Sequence, residues 1–160
     1  MLHRLQLTLR RRRRILKIRE RQQERAELQL AVCLREEEDL RREREGYLAA
    51  GLRTRAAMLG AFDDEGGTVP SNVLQTYVRA GESLSRLAAG RDGEIEALQP
   101  TIRERRADVL EKYKTKRAME VLTAKTGDRV QHEELRGEQR TLDELTSQRY
   151  RGPNGSDESQ

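Results

Sequence analysis

The chain has 160 residues, of which only 34% are hydrophobic while 38% are charged. One Phe, four Tyr and no Trp cannot fill a wide globular interior, although such a composition can fill a narrow interface between two helices. The net charge is only +4 and the charges are of both signs, which disfavours a disordered chain and favours long solvated helices.

The first predicted element is a long helix over residues 1–62. From Leu5 to Met58, alternate steps of four and three residues define the spacing of a coiled-coil interface, and nine of the sixteen positions visited are apolar. The beginning of this helix is strongly basic, with five consecutive arginines at Arg10–Arg14. Cys33 falls on the same interface, so we interpret it as a small apolar residue.

A turn is predicted over residues 63–72. Gly66 and Gly67 can adopt the left-handed conformation that ends a helix, and Pro70 cannot continue the first helix. Thr68 or Ser71 can cap the helix that follows.

A second long helix is predicted over residues 73–150. The same spacing visits eleven positions from Leu74 to Val109, eight of them apolar; we expect its phase to slip beyond Val109 and to resume in the leucines further on. Two glycines in Gly90–Gly93, followed by Pro100, leave open a break near residues 90–100 and a three-helix arrangement. Residues 151–160 are polar and rich in turn-forming residues, so we expect a disordered tail.

A short connection between two long helices predicts an all-α fold, a long antiparallel two-helix coiled-coil hairpin. With the turn near Gly66, residue i faces a residue at about 132 − i, which leaves about twenty C-terminal residues without a partner helix. The net charges of residues 1–30, 31–62, 63–100, 101–151 and 152–160 are +7, 0, −4, +3 and −2. The hairpin would therefore be basic at its open end and acidic at its turn, as suits a connector between two partners.

No sequence motif indicates catalysis or a bound cofactor. The chain has no glycine-rich phosphate loop, no nucleophile beside a plausible base, and no spacing of metal ligands, since His3 and His132 lie far apart. The single cysteine suits a reducing compartment, and no stretch approaches the roughly 20 apolar residues of a membrane span. We predict a cytoplasmic protein that is not an enzyme, without cofactor or metal and without membrane insertion.

The arginine run allows three interpretations. It could bind nucleic acid, it could be a solvated helix face, or it could bind protein. A basic segment before a heptad pattern is typical of leucine-zipper transcription factors, but no Asn or Ala stands within the run to reach base edges, and Arg12 and Arg19 fall on the interface itself. This disfavours nucleic acid and favours a surface that binds protein.

The stretch from Lys116 to Tyr150 resembles the C-terminal helix of the FliJ/YscO family, the stalk proteins of flagellar and injectisome type III secretion ATPases. The resemblance rests on a basic pair followed by "EVL", a run rich in Arg and Glu, and a closing "LDEL" with a trailing arginine. The length, the hairpin and the basic first helix also fit this family. Gly127 and the scarcity of aromatic residues near the turn depart from it, and the second departure favours the injectisome branch.

The resemblance implies a stalk similar to the γ subunit of rotary ATPases, with its open end in the pore of a hexameric export ATPase and its turn at the export gate in the membrane. Export chaperones are further candidate partners, and the protein would lie at the cytoplasmic face of the apparatus. The residues expected to face the ATPase are Arg10, Arg11, Arg12, Arg13, Arg14, Leu135, Leu142, Leu145 and Arg149. The residues expected to face the gate are Tyr47, Met58, Leu74 and Tyr77. The alternative is a basic coiled-coil scaffold or a nucleic-acid-binding protein.

Overall fold

The computed structural model describes residues 1–64 and 66–150, and within these residues the regular elements are two α-helices. Helix α1 comprises Leu2–Asp64 and helix α2 comprises Ser71–Tyr150. The helices pack against each other in antiparallel directions, so that Arg105 donates a hydrogen bond to Gln29 and Gln99 donates one to Glu37. The fold is the all-α hairpin that the heptad spacing predicts. The tail over residues 151–160 lies outside the described residues.

The end of α1 is fixed by two glycines in the left-handed region of backbone conformation. Gly66 has a φ of 65° and Gly67 a φ of 89°. The Gly67 N–H donates to the carbonyl oxygen of Phe62 at 2.8 Å, which satisfies one of the carbonyls left unpaired at the end of the helix. The turn therefore lies where the glycine pair predicts it.

The start of α2 differs from the sequence prediction. Ser71, one of two candidates for the capping residue, is instead the first residue of the helix. The carbonyl oxygen of Pro70 accepts hydrogen bonds from the N–H groups of Val73 at 3.0 Å and Leu74 at 3.1 Å, so Pro70 immediately precedes the first turn. Proline has no N–H to leave unpaired at this position, which makes it compatible with the start of a helix.

Helix α2 continues through Gly90–Gly93 and Pro100, where the sequence left a break open. Two ion pairs hold the glycine-containing segment against α1: Arg91 contacts Glu43 at 2.7 Å and Arg44 contacts Asp92 at 2.5 Å. Pro100 is exposed, so its ring lies on the outer side of α2 and does not disturb the packing against α1.

The interface between the helices repeats every three or four residues. All sixteen α1 positions of the predicted series from Leu5 to Met58, and all eleven α2 positions from Leu74 to Val109, are buried or half-buried. The predicted slip of phase after Val109 is wrong, because the series continues unbroken to Glu133. Its polar members could not be recognised as interface residues from hydropathy, although the stems of Lys and the methyl group of Thr can cover apolar surface. The interface positions after Val109, five of them polar, are Lys112, Lys116, Met119, Thr123, Thr126, Val130 and Glu133.

The chain divides into two compact units. The first, called here the terminal unit, contains Met1–Gln23 and the part of the chain from Lys112 onwards. The second, called the turn unit, contains Glu24–Glu111. Contacts in both units pair residue i with a residue at about 135 − i, a few residues from the predicted register and still that of an antiparallel hairpin.

Candidate functional site

The run Arg10–Arg14 does not form one surface, because successive residues of a helix point in directions about 100° apart. Arg10, Arg11, Arg13 and Arg14 are exposed, whereas Arg12 is half-buried at an interface position. Four of the five arginines expected to face the ATPase are therefore available to a partner, and the fifth lies between the helices.

Arg12 is bonded to α2 by its guanidinium group. It donates to the carbonyl oxygen of Leu122 at 2.9 Å and to the hydroxyl of Thr126. Thr126 is only 4% exposed, and its hydroxyl donates to the same Leu122 carbonyl at 2.8 Å. These hydrogen bonds join Arg12 of α1 to Leu122 and Thr126 of α2 and fix the position of the two helices in the terminal unit, so Arg12 has a structural role there.

The outer side of α1 in the terminal unit carries only basic and apolar residues. We call this surface the basic face. Its nine residues occupy the positions of the heptad repeat that point away from α2, and all nine are exposed. None is acidic, and among the described residues none of its arginines or its lysine forms an ion pair. The nine residues are His3, Arg4, Leu7, Arg10, Arg11, Arg14, Lys17, Ile18 and Arg21.

Helix α2 extends beyond its contacts with α1. The side-chain amide of Gln6 donates to Glu134 at 2.9 Å, and every residue from Glu134 to Tyr150 is exposed. We call residues 135–150 the overhang. Leu135, Leu142 and Leu145 are 58%, 64% and 53% exposed, and their spacing places them with Arg149 on one side of the helix. All four lie on the free segment that the hairpin predicts, but the leucines do not continue the helix–helix interface.

The four residues expected to face the export gate all lie in the turn unit. Tyr47, Met58, Leu74 and Tyr77 are half-buried and occupy interface positions, so they contribute to packing between the helices. The more exposed apolar residues of this unit are others, which the sequence analysis did not single out. These residues could have been found from the sequence, because they are apolar but do not fall on the heptad positions of the interface. Those nearest the turn are Leu48, Leu52, Leu59, Val73 and Val78, between 37% and 69% exposed.

A polar layer interrupts the interface of the turn unit around Arg91. Hydrogen bonds with Glu94 and Tyr47, together with the charge of Glu43, raise the pKa of Arg91 above its ordinary value. In the terminal unit, a hydrogen bond from Arg117 lowers the pKa of the Glu120 carboxyl. In both places, ion pairs stabilise the charged forms of the side chains, and none of these side chains is poised for proton transfer.

The described residues contain no group of three or more His, Cys, Asp or Glu side chains placed to hold a metal ion. In the same part of the chain, no helix combines the length and the apolar character needed to cross a membrane. What the arrangement offers is three surfaces: the basic face, the leucines of the overhang, and the exposed apolar residues of the turn unit.

Comparison with protein families identifies the chain. A family model described as the flagellar FliJ protein matches residues 10–155, which is nearly the whole length. The chain belongs to the FliJ family. Membership indicates a stalk protein of flagellar or type III protein export, in agreement with the resemblance of residues 116–150. The FliJ match includes both the arginine run and the overhang. No curated protein and no solved structure matches the chain.

Proposed function

We propose that this FliJ-family hairpin is the non-enzymatic central stalk of a type III protein export apparatus. Its terminal unit would enter the pore of the hexameric export ATPase, and its turn unit would reach the export gate in the membrane. The observation that carries the proposal is the cluster of exposed arginines on α1, which have no acidic partner within the described residues. Unpaired cations on a helix are available to carboxylates or carbonyls of surrounding subunits.

The ATPase contact would be made by Arg10, Arg11, Arg13 and Arg14. The six ATPase subunits change state one after another, so the stalk needs several similar side chains that can contact them in succession. Adjacent exposed arginines meet this need. The stalk would act by binding the subunit states with different affinities, without any chemistry of its own. Arg12 would hold the two helices in register during this process.

The overhang would enter the pore ahead of the paired helices. Leu135, Leu142 and Leu145 form an exposed apolar stripe, and covering such a stripe with a partner is favourable. Arg149 lies on the same side and adds a further cation.

The export gate would contact exposed apolar residues of the turn unit. Leu48, Leu52 and Leu59 on α1 are available for such a contact, while Tyr47, Met58, Leu74 and Tyr77 support it from the interface. Export chaperones remain further candidate partners of this chain, with no residues assigned to them.

The test is a pull-down and an ATPase assay with the cognate hexameric export ATPase. A variant with Arg10, Arg11, Arg13 and Arg14 replaced by Gln should lose binding and stimulation by at least about tenfold, because each lost charge contact weakens binding. A matched control replaces four exposed arginines of the turn unit by Gln, which changes the net charge equally; its binding should stay within about twofold. The control positions are Arg35, Arg53, Arg55 and Arg79.

Two results would contradict the proposal. If the intact chain neither binds nor stimulates the ATPase, the stalk function is wrong. If it instead binds duplex DNA with an affinity that falls steeply with salt, the nucleic-acid alternative is favoured, because release of counterions from phosphates produces that dependence.

A further inference from the structure

The basic face contains a feature that binding to the ATPase does not explain. Leu7 and Ile18 are 50% and 54% exposed, and both lie among the cations of this face. Carboxylates need only the arginines, and they gain nothing from aliphatic side chains. The combination of unpaired cations with exposed aliphatic residues is instead typical of helices that lie at the surface of a membrane.

The geometry of the face fits a flat, extended partner. Residues 3–21 extend about 27 Å along α1 at 1.5 Å per residue. The cations extend from Arg4 at one end to Arg21 at the other, and Leu7 occupies the outward position of the one turn that lacks a cation, between Arg4 and Arg10. The next outward position beyond Arg21 is Glu24, where the first acidic residue enters the outer side of α1. The surface is therefore continuous and of one sign over its whole length.

We propose that the basic face binds the surface of an anionic lipid bilayer. Helix α1 would lie parallel to the membrane, with its arginines and Lys17 among the lipid headgroups and with Leu7 and Ile18 reaching below them. Nothing crosses the bilayer. This binding goes beyond the stalk function, because it concerns the protein when the ATPase does not occupy these cations. The ATPase and the membrane would compete for the basic face.

The interface of the hairpin stays intact in this arrangement. The side of α1 opposite the basic face is covered by α2, and Arg12 is held there by Leu122 and Thr126. All nine residues of the basic face are already exposed, so binding needs no unfolding and no separation of the helices. Long arginine and lysine side chains can place their charges at the headgroups while their stems lie on apolar surface.

A lipid surface fits the face better than a nucleic acid does. The nine positions include no Phe, Tyr or Trp to stack on bases and no Asn or Gln to read adenine edges. Phosphates of a nucleic acid would bind the cations but would leave Leu7 and Ile18 exposed to water. In a bilayer both side chains leave water, and this apolar burial adds to the electrostatic attraction.

The experiment measures binding of the full chain to vesicles by co-sedimentation, without the ATPase. One set of vesicles contains equal parts of phosphatidylcholine and phosphatidylglycerol, and the other contains phosphatidylcholine alone. We expect binding to the anionic vesicles only. Replacing Arg10, Arg14, Lys17 and Arg21 by Gln should weaken it at least about 100-fold, because each cation near an anionic surface contributes about fivefold. Replacing Leu7 and Ile18 by Gln should weaken it about tenfold.

Matched controls separate the face from general charge and hydrophobicity. Gln at Arg35, Arg53, Arg55 and Arg79 removes the same number of charges from the turn unit, and Gln at the exposed Leu28 and Val32 removes two aliphatic side chains. Both controls should bind the anionic vesicles within about twofold of the unchanged chain. Circular dichroism of every variant checks that the helices form.

Three results would overturn the inference. The first is the absence of binding to the anionic vesicles. The second is binding that the Leu7→Gln and Ile18→Gln changes leave unaltered, since the aliphatic residues would then not reach the lipid. The third is duplex DNA binding that is tighter than vesicle binding and depends on the same cations. The stalk function is tested independently, because the variant with both aliphatic changes should stimulate the ATPase normally.

Discussion

Within one run of identical residues, the structure separates the role of Arg12 from that of its neighbours. Arg12 is half-buried and donates to the Leu122 carbonyl and the Thr126 hydroxyl, whereas Arg13 is exposed. Removing the Arg12 guanidinium leaves a buried hydroxyl without this donor and removes the packing of a long aliphatic stem.

We therefore expect Arg12→Ala to lower the free energy of unfolding by about 1–2 kcal/mol, measured by urea denaturation with circular dichroism. Arg13→Ala is the control on the neighbouring exposed position, and its effect should stay within about 0.5 kcal/mol. Arg12→Leu should recover the loss, because a leucine suits an interface position of the heptad. Equal stability of the Arg12→Ala and Arg13→Ala variants would show that the hydrogen bonds of Arg12 do not stabilise the hairpin.

The sequence could place Arg12 at the interface but could not assign its role. The heptad spacing includes Arg12 together with Leu9 and Leu16. The acceptors of its hydrogen bonds, however, belong to α2 more than a hundred residues later, and the register between the helices was predicted a few residues away from the observed one. A hydrogen bond across a hairpin depends on that register, so hydropathy alone cannot identify it.

At the scale of the element, α2 is helical through a segment that favours a break. Gly90 and Gly93 lie in the helix interior, where glycine is unfavourable because it loses more backbone freedom than other residues on folding. A Cβ added at either position would meet nothing within 4 Å beyond the backbone of its own helical turn. Replacing these glycines by alanine should therefore remove their entropic cost without disturbing the packing.

We expect Gly90→Ala and Gly93→Ala each to raise the free energy of unfolding by about 0.5–1 kcal/mol, and the double variant by about 1–2 kcal/mol. Thermal or urea denaturation followed by circular dichroism measures the change. Gly67→Ala is the opposite control: its φ of 89° is strained for any residue with a side chain, so this change should destabilise. A destabilised Gly90→Ala, Gly93→Ala variant would mean that the segment needs its glycines.

The hairpin and its turn were predictable because they depend on local patterns. Heptad spacing over sixteen positions of α1, and a Gly-Gly pair followed by proline, need no knowledge of distant contacts. The continuity of α2 could not be predicted from local patterns, because ion pairs with Glu43 and Arg44 of the other helix support it. The same holds for the interface after Val109, where polar residues hide the spacing. Tyr47 and Tyr77, which were expected to face the gate, are half-buried at interface positions.

At the scale of the whole molecule, the two units differ in the composition of their helix–helix interfaces. In the turn unit, fourteen of the twenty-one interface positions carry apolar residues, and Ala26, Ala88 and Ile102 are buried. In the terminal unit, only five of thirteen positions are apolar. Those five are Leu5, Leu9, Leu16, Met119 and Val130. Because apolar burial provides most of the stability of packed helices, the terminal unit should open more readily than the turn unit.

Native-state hydrogen exchange of the full chain at increasing urea tests this difference. We expect the amides of Leu9, Leu16 and Val130 to exchange through local opening, at a free energy at least about 1–2 kcal/mol below that of Ala88 and Ile102. The Arg12→Leu variant should narrow this gap, because it adds an apolar residue to the interface of the terminal unit alone. Equal protection in both units would mean that the chain unfolds as one cooperative body. A gap that Arg12→Leu leaves unchanged would mean that the apolar content of the interface does not cause the difference. A terminal unit that opens readily would be able to adjust its helices when the ATPase binds, at a lower energetic cost than the turn unit.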